Sequence, residues 1–142
     1  MSEMLANQYF MARHYNKAIP LLQKVLDNDP GNINCIKKII ICYAQVGEIS
    51  RAQEHFMQIM RRDPSIIIDT DPLEDDCPCP GIVQKMEKKT ILVQDLATHF
   101  TVLGMLYLYC DLPKSISYFE LSLEKSPDQP ILKEVLRILR AF

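Results

Sequence analysis

The 142-residue sequence lacks an excess of charge of either sign, because 16 basic and 18 acidic side chains leave a formal net charge of -2. These charges are mixed along most of the chain and create no positive field for nucleic acid phosphates, so we expect no DNA or RNA partner. The sequence also lacks low-complexity tracts and is 48% hydrophobic, which excludes a disordered protein. Its length predicts one folded domain over residues 1–142.

Long hydrophobic runs are also missing. The longest, Val102–Cys110, is about half the length that a helix needs to cross a bilayer. The first ten residues carry Glu3 and no basic residue ahead of an apolar core, unlike a secretory signal. We therefore expect no membrane partner and a cytoplasmic location.

Catalytic motifs are absent as well. The sequence has no HExxH, no glycine-rich phosphate loop and no nucleophile elbow, and His14, His55 and His99 show no known catalytic spacing. We expect a protein that is not an enzyme, with no catalytic residue and no cofactor. A catalytic triad scattered along the chain would leave no such pattern, and that alternative stays open.

The five cysteines are an odd number, which does not indicate a disulfide framework. Cys77 and Cys79 stand one residue apart among carboxylates and prolines. Structural zinc sites space their cysteines more widely and need four ligands, so we expect no metal there. An inert or partner-contacting loop is the first interpretation, and a metal- or redox-sensing module through the two thiols is the alternative.

The first half of the sequence repeats itself with a period of 34 residues. The matching landmarks are Tyr9 with Tyr43, Tyr15 with Ile49, Ala18 with Ala52, Leu22 with Phe56, Val25 with Ile59, and Asp29-Pro30 with Asp63-Pro64.

Each landmark has a mechanical role. Apolar residues recur at intervals of three and four, which predicts pairs of helices with one buried stripe each. The small Ala18 and Ala52 let paired helices approach closely. Pro30 and Pro64 end the second helix of each pair, since the residue before a proline is pushed out of the helical region. Gly47 marks a turn between two helices.

These landmarks resemble the tetratricopeptide repeat family. A third copy is weaker, with serine in place of the usual alanine and an internal turn one residue short. Its landmarks are Leu103, Gly104, Tyr107, Asp111, Leu112, Ser115, Phe119 and Pro127. The resemblance implies an all-α fold, a short right-handed α-solenoid of about three helix-turn-helix repeats followed by a C-terminal capping helix.

We predict five segments along the chain. The first repeat covers about 2–31, the second about 32–65, an acidic Pro/Cys loop about 66–81, and the third repeat about 82–128, with an extended first helix. The capping helix covers 130–142, where Pro130 suits a first helical turn.

The loop between the second and third repeats holds five carboxylates from Asp69 to Asp76, three prolines and no basic residue. This composition predicts a flexible loop, with Ile66–Ile68 extended against the second repeat. Beyond it, the apolar spacing fits one helix over Ile82–Tyr109, or a short helix ending near Lys89 and a second starting near Thr90.

The resemblance also implies a concave groove lined by the first helix of each repeat, which binds a peptide or helix of another protein. Its residues here would be Asn7, Phe10, Met11, Asn34, Lys37, Ile41, Gln45, Thr98, Thr101, Met105, Leu108 and Tyr109. Family members that hold chaperone tails use lysine, asparagine and arginine, and only Asn7 and Lys37 resemble that set.

Because the groove so defined is largely apolar, we expect a scaffold or adaptor for an apolar peptide or helix. The groove can also be filled by the chain itself or by a second copy. A further alternative is a cytosolic chaperone for a secreted or assembly-prone client.

Overall fold

A computed structural model describes residues 2–73, 75 and 77–142, and all regular structure in those ranges is helical. The predicted all-α class is confirmed. The helices are α1 Ser2–Met11, α2 Tyr15–Asn28, α3 Ile33–Gln45, α4 Ile49–Arg62, α5 Ser65–Ile68, α6 Cys79–Lys88, α7 Leu96–Tyr107, α8 Leu112–Lys125 and α9 Pro130–Ala141, and a 3₁₀ turn covers Thr90–Leu92.

The chain divides into two compact units, Met1–Gln58 and Ile59–Phe142, with the division inside α4. The single domain expected from chain length stays a prediction. Within the described ranges, every helix is too short or too polar to span a lipid bilayer.

The first unit is built on close approaches between paired helices. α2 packs against both α1 and α3. Ala18 and Ala52 are fully buried, as are Leu22 and Phe56 on the same apolar stripes. A methyl group at each alanine position therefore lies inside the core, where a larger side chain would hold the helices apart.

The turns of the first unit also have local causes. Gly47 adopts a φ of 85° between α3 and α4, a left-handed conformation that glycine reaches without strain. Asn32 begins α3, because its side chain accepts a hydrogen bond from the backbone N–H of Cys35 at 3.2 Å. The helix boundaries near these residues therefore follow from the sequence.

The second unit contains the tightest contact, between α7 and α8. Gly104 lies against the ring of Phe119, and Ser115 donates a hydrogen bond of 2.6 Å to the carbonyl oxygen of Gly104. Nearby, the hydroxyls of Thr101 and Ser122 are 2.7 Å apart. Serine at the usual alanine position is therefore both small and satisfied, so it causes no loss of packing.

The predicted loop over 66–81 is wrong at both ends. Ile66–Ile68 is not extended but belongs to α5, and Ile67 is completely buried. α6 begins at Cys79, before the expected point, because Pro80 stands in its first turn, where no backbone N–H is needed. The described part of the connection is a hydrogen-bonded turn, in which the carboxylate of Asp71 accepts from the N–H of Leu73 at 3.0 Å. Glu74 and Asp76, part of the acidic stretch, lie outside the described residues.

The structure contradicts one continuous helix over Ile82–Tyr109 and agrees with the alternative in which a short helix ends near Lys89. α6 ends at Lys88, and α7 begins at Leu96 after the 3₁₀ turn. Asp95 fixes this second start, since its carboxylate accepts from the backbone N–H of Thr98 at 3.1 Å and from its hydroxyl at 2.7 Å. This N-cap places the start of α7 at Leu96, six residues after the Thr90 at which the apolar spacing starts a second helix.

We expect Gly104→Ala to reduce the free energy of unfolding by about 1–3 kcal/mol, as overpacked cores do. An added Cβ would lie 2.7 Å from the ring carbons Cδ1 and Cε1 of Phe119. Gly81→Ala is the control, because a Cβ there meets no atom within 4 Å. This helical site should gain roughly 0.5–1 kcal/mol. Urea unfolding measures both, and equal midpoints for the two variants would contradict the tight contact.

Candidate functional site

Half of the predicted groove is inaccessible. The buried members, each 2% exposed or less, are Phe10, Ile41, Thr101, Met105, Leu108 and Tyr109. This corrects the expectation that these side chains meet a partner. The physical reason is that they are covered within the chain, where apolar groups are most stable. Their apolar character is a property of the core and says nothing about a ligand.

The accessible members are mostly polar. Asn34 and Thr98 are exposed, Met11 is 54% exposed, and Asn7, Lys37 and Gln45 are half-buried. Thr98 belongs to the second unit, and its hydroxyl is already bonded to Asp95. The remaining accessible side chains lie on α1 and α3 of the first unit.

Side chains from these two helices meet directly. Lys38 donates a hydrogen bond of 2.7 Å from Nζ to Oδ1 of Asn7, and its ammonium lies 5.8 Å from the centroid of the Phe10 ring. An amine and an amide thus bridge α1 and α3 beside a buried aromatic ring. We call Asn7, Met11, Asn34, Lys37 and Lys38 together the α1–α3 surface. The sequence indicated Lys37 but not Lys38, because repeat register alone cannot tell which of two adjacent lysines reaches the neighbouring helix.

A cleft of about 350 Å³ opens between α2 and α4 of the first unit. Its lining residues are Gln23, Leu26, Asp27, Pro30, Ile36, His55 and Gln58. His55 stacks on Tyr43 with ring centroids 5.9 Å apart, and Tyr43 donates a hydrogen bond of 3.3 Å to Gln23.

Burial lowers the pKa of His55 below its ordinary value of 6.5, although Gln58 and Glu54 act in the opposite direction. The cleft thus places one imidazole beside the amides of Gln23 and Gln58 and the carboxylate of Asp27.

Residues 9–67 match a family model described as tetratricopeptide repeat. This stretch, which is less than half of the chain, is similar to tetratricopeptide repeats. Such repeats generally mediate protein–protein interaction, and their fold is typically a scaffold and not an enzyme. No curated protein matches the chain.

The tetratricopeptide match ends at residue 67, and α6 lies beyond it. Glu87 on α6 accepts hydrogen bonds from the hydroxyls of Tyr107 and Tyr118. The two rings stack with centroids 5.5 Å apart, and Nζ of Lys114 lies 3.9 Å from Oε2 of Glu87. One carboxylate therefore holds α6 against both α7 and α8.

We expect the stabilising effect of Glu87 to depend on pH. Burial acts to raise its pKa, but the bonds from Tyr107 and Tyr118 and the charge of Lys114 outweigh it, so the pKa lies below the ordinary 4.5. A carboxyl with a depressed folded-state pKa stabilises the protein fully above its unfolded pKa, and the effect is lost as pH falls through the folded value.

The wild type should therefore unfold at higher urea concentration than Glu87→Gln at pH 7, and the difference should shrink at about pH 3.5. Glu124→Gln on the exposed face of α8 is the matched control and should show no such difference. If the urea midpoints of the wild type and Glu87→Gln differ as much at pH 3.5 as at pH 7, the carboxylate charge is not involved.

Three cysteines form a second cluster outside the tetratricopeptide match, namely Cys77, Cys79 and Cys110. Cys79 is completely buried, and its burial and the neighbouring Cys77 raise its pKa well above the ordinary value. Cys110 lies near enough to Cys77 for the two charges to interact. Among the described residues, no group of three or more His, Cys, Asp or Glu side chains is arranged to hold a metal ion.

We expect alkylation of Cys110 to be slow at neutral pH despite the exposure of this residue. Partial burial of the thiol, the nearby Cys77 and the carboxylate of Asp111 raise its pKa to about 11, and the thiolate is the reactive form. The iodoacetamide rate, followed at Cys110 by mass spectrometry, should keep rising between pH 7 and pH 10. Urea-unfolded protein is the control, with a plateau near pH 9. A plateau below pH 9 in the folded protein would contradict the raised pKa.

Proposed function

We propose that the protein is an interaction scaffold that binds a segment of another protein across the α1–α3 surface. The observation that carries this proposal is the bond between Lys38 and Asn7, which joins the first helices of two consecutive repeats beside buried Phe10. A ligand that bridges both helices would meet a prepared arrangement of side chains and would require little reordering of the protein.

The chemistry of this surface favours a segment that carries carboxylates. Lys37 and Lys38 provide amines, Asn7 and Asn34 provide amides, and charge-assisted hydrogen bonds to a carboxylate are among the strongest in proteins. Met11, at 54% exposure, offers an adaptable apolar contact for one neighbouring side chain. The proposed ligand is therefore more acidic than the apolar peptide that the groove pattern predicts, because most apolar groove residues are buried.

The test compares two double variants in affinity purification from native cells with quantitative mass spectrometry. In Asn34→Glu/Lys37→Glu, the surface becomes acidic and should repel its ligand. The recovered amount of at least one captured protein should therefore fall about tenfold or more. The matched control is Lys24→Glu/Asn28→Glu, which makes the same residue changes at exposed positions on α2.

The control should retain the captured protein, which must then bind the purified wild type directly. Equal recovery by both double variants would reject the α1–α3 surface as the binding site. Polar replacement of Ile41 or Leu108 is unsuitable for this purpose. Both side chains are buried, so such changes would destabilise the fold whatever the protein binds.

A further inference from the structure

The cleft between α2 and α4 of the first unit combines a buried apolar floor with an exposed rim. Leu26 and Ile36 form the floor, and Asp27, Pro30 and Gln58 are exposed around it. The volume of about 350 Å³ is near the lower end of the range for ligand pockets, about 300–1,000 Å³. A cleft of this size suits a small group, such as one long side chain.

A relay of hydrogen bonds orients the carboxylate of Asp27. The hydroxyl of buried Tyr43 donates to Oε1 of Gln23 at 3.3 Å, and Nε2 of Gln23 donates to Oδ1 of Asp27 at 3.1 Å. Within the described part of the chain, Oδ2 of Asp27 accepts no hydrogen bond, and Lys24, one turn earlier on α2, forms no salt bridge with it. One oxygen is therefore held in place while the other is open to a ligand.

The charge of the cleft is negative. The other lining residues are amides and apolar side chains, apart from His55. Burial lowers the pKa of this imidazole below 6.5, so it is neutral at pH 7 and leaves the charge of Asp27 uncompensated. Arg51, one turn earlier on α4, is paired with Glu48 at 3.9 Å. The cleft therefore favours a cation over an anion or a neutral group.

The imidazole of His55 adds a flat surface. It stacks on the ring of Tyr43 with an angle of 8° between the two planes, and it also lines the cleft. A planar guanidinium can stack on an aromatic ring held in this way while its N–H groups donate to a carboxylate, whereas an ammonium group is a compact point charge.

We infer that this cleft binds an arginine side chain presented by a partner protein. The guanidinium would donate to Oδ2 of Asp27 and stack on His55. The aliphatic stem of the arginine would lie along Leu26 and Pro30, as long cationic side chains do on apolar surfaces.

Other side chains suit the cleft less well. An apolar side chain would fill the floor but would strip water from Asp27 without replacing it, which is costly for an ionised carboxylate. A lysine would satisfy the charge but would gain less from the flat ring of His55. Arginine matches the charge, the ring and the apolar floor together.

This cleft is separate from the α1–α3 surface. Its polar residues lie on α2 and α4, and no residue that lines it belongs to the α1–α3 surface. The inference therefore stands or falls independently of the carboxylate-binding surface proposed above.

The test is an NMR titration of the whole chain with the capped peptide acetyl-Gly-Ser-Arg-Ser-Gly-amide. We expect saturable shifts of the His55 ring and of the side-chain amides of Gln23 and Gln58. The same peptide with citrulline, which keeps the shape of arginine without its charge, should bind at least about tenfold more weakly. The lysine peptide should bind at least about threefold more weakly.

Two variants and a matched control test the assigned residues. Asp27→Asn keeps an oxygen that accepts from Gln23 and should weaken binding of the arginine peptide at least about tenfold. Asp29→Asn removes the same charge from an exposed carboxylate outside the cleft lining, and its affinity should stay within about twofold of the wild type. His55→Leu removes the flat ring and should abolish the preference for arginine over lysine. Circular dichroism verifies that each variant is folded.

Several outcomes overturn the inference. These are equal affinity for the arginine and citrulline peptides, equal losses in Asp27→Asn and Asp29→Asn, shifts confined to residues outside the cleft, or no saturable shift up to about 10 mM peptide. Free L-arginine that binds at least about tenfold more tightly than the peptide would assign the cleft to a small metabolite and not to a partner protein.

Discussion

Close approach between paired helices is the constraint on which this structure depends. Ala18 and Ala52 provide it in the first unit, where both are fully buried. Gly104 provides it in the second, with the ring of Phe119 directly against its backbone. Closely packed helices must have a very small side chain at the contact, because protein interiors are packed as densely as organic crystals. The spacing of small residues therefore determines the helix pairs.

Burial also divides the residues of the first helix of each repeat into core positions and accessible positions. In the first helices, apolar positions such as Phe10 and Ile41 enter the core, and polar positions such as Asn7 and Lys37 stay accessible. The accessible residues of the predicted groove are therefore mostly polar, with Met11 as the apolar exception.

The helix pairs before residue 68 were predictable because their signals are local and repeated. Periodicity, the small alanines and Gly47 all indicate the same boundaries, and the match to a known family ends at residue 67. The following connection was less predictable, since it has no second copy for comparison. Pro80, one of the three prolines whose presence predicts a loop, lies in the first turn of a helix, and Asp95, inside the range expected to be helical, is the N-cap of α7.

The candidate surface was predictable only in part, since repeat register identifies a helix face but not how deeply each side chain is buried. Asn7, Met11, Asn34 and Lys37 are accessible as that register implies. Lys38 was missed because its role depends on the distance to Asn7, a contact between residues 31 positions apart. Such contacts follow from the packing of whole helices, which no local pattern records.

The anchoring of α6 has a mechanical consequence. Glu87 joins this helix to two others by accepting from Tyr107 and Tyr118, while Cys79 and Val83 are buried earlier along the same helix. The position of α6 in the second unit therefore depends on contacts at both its start and its end. A substitution that weakens any of these contacts is therefore expected to change how α6 packs on α7 and α8.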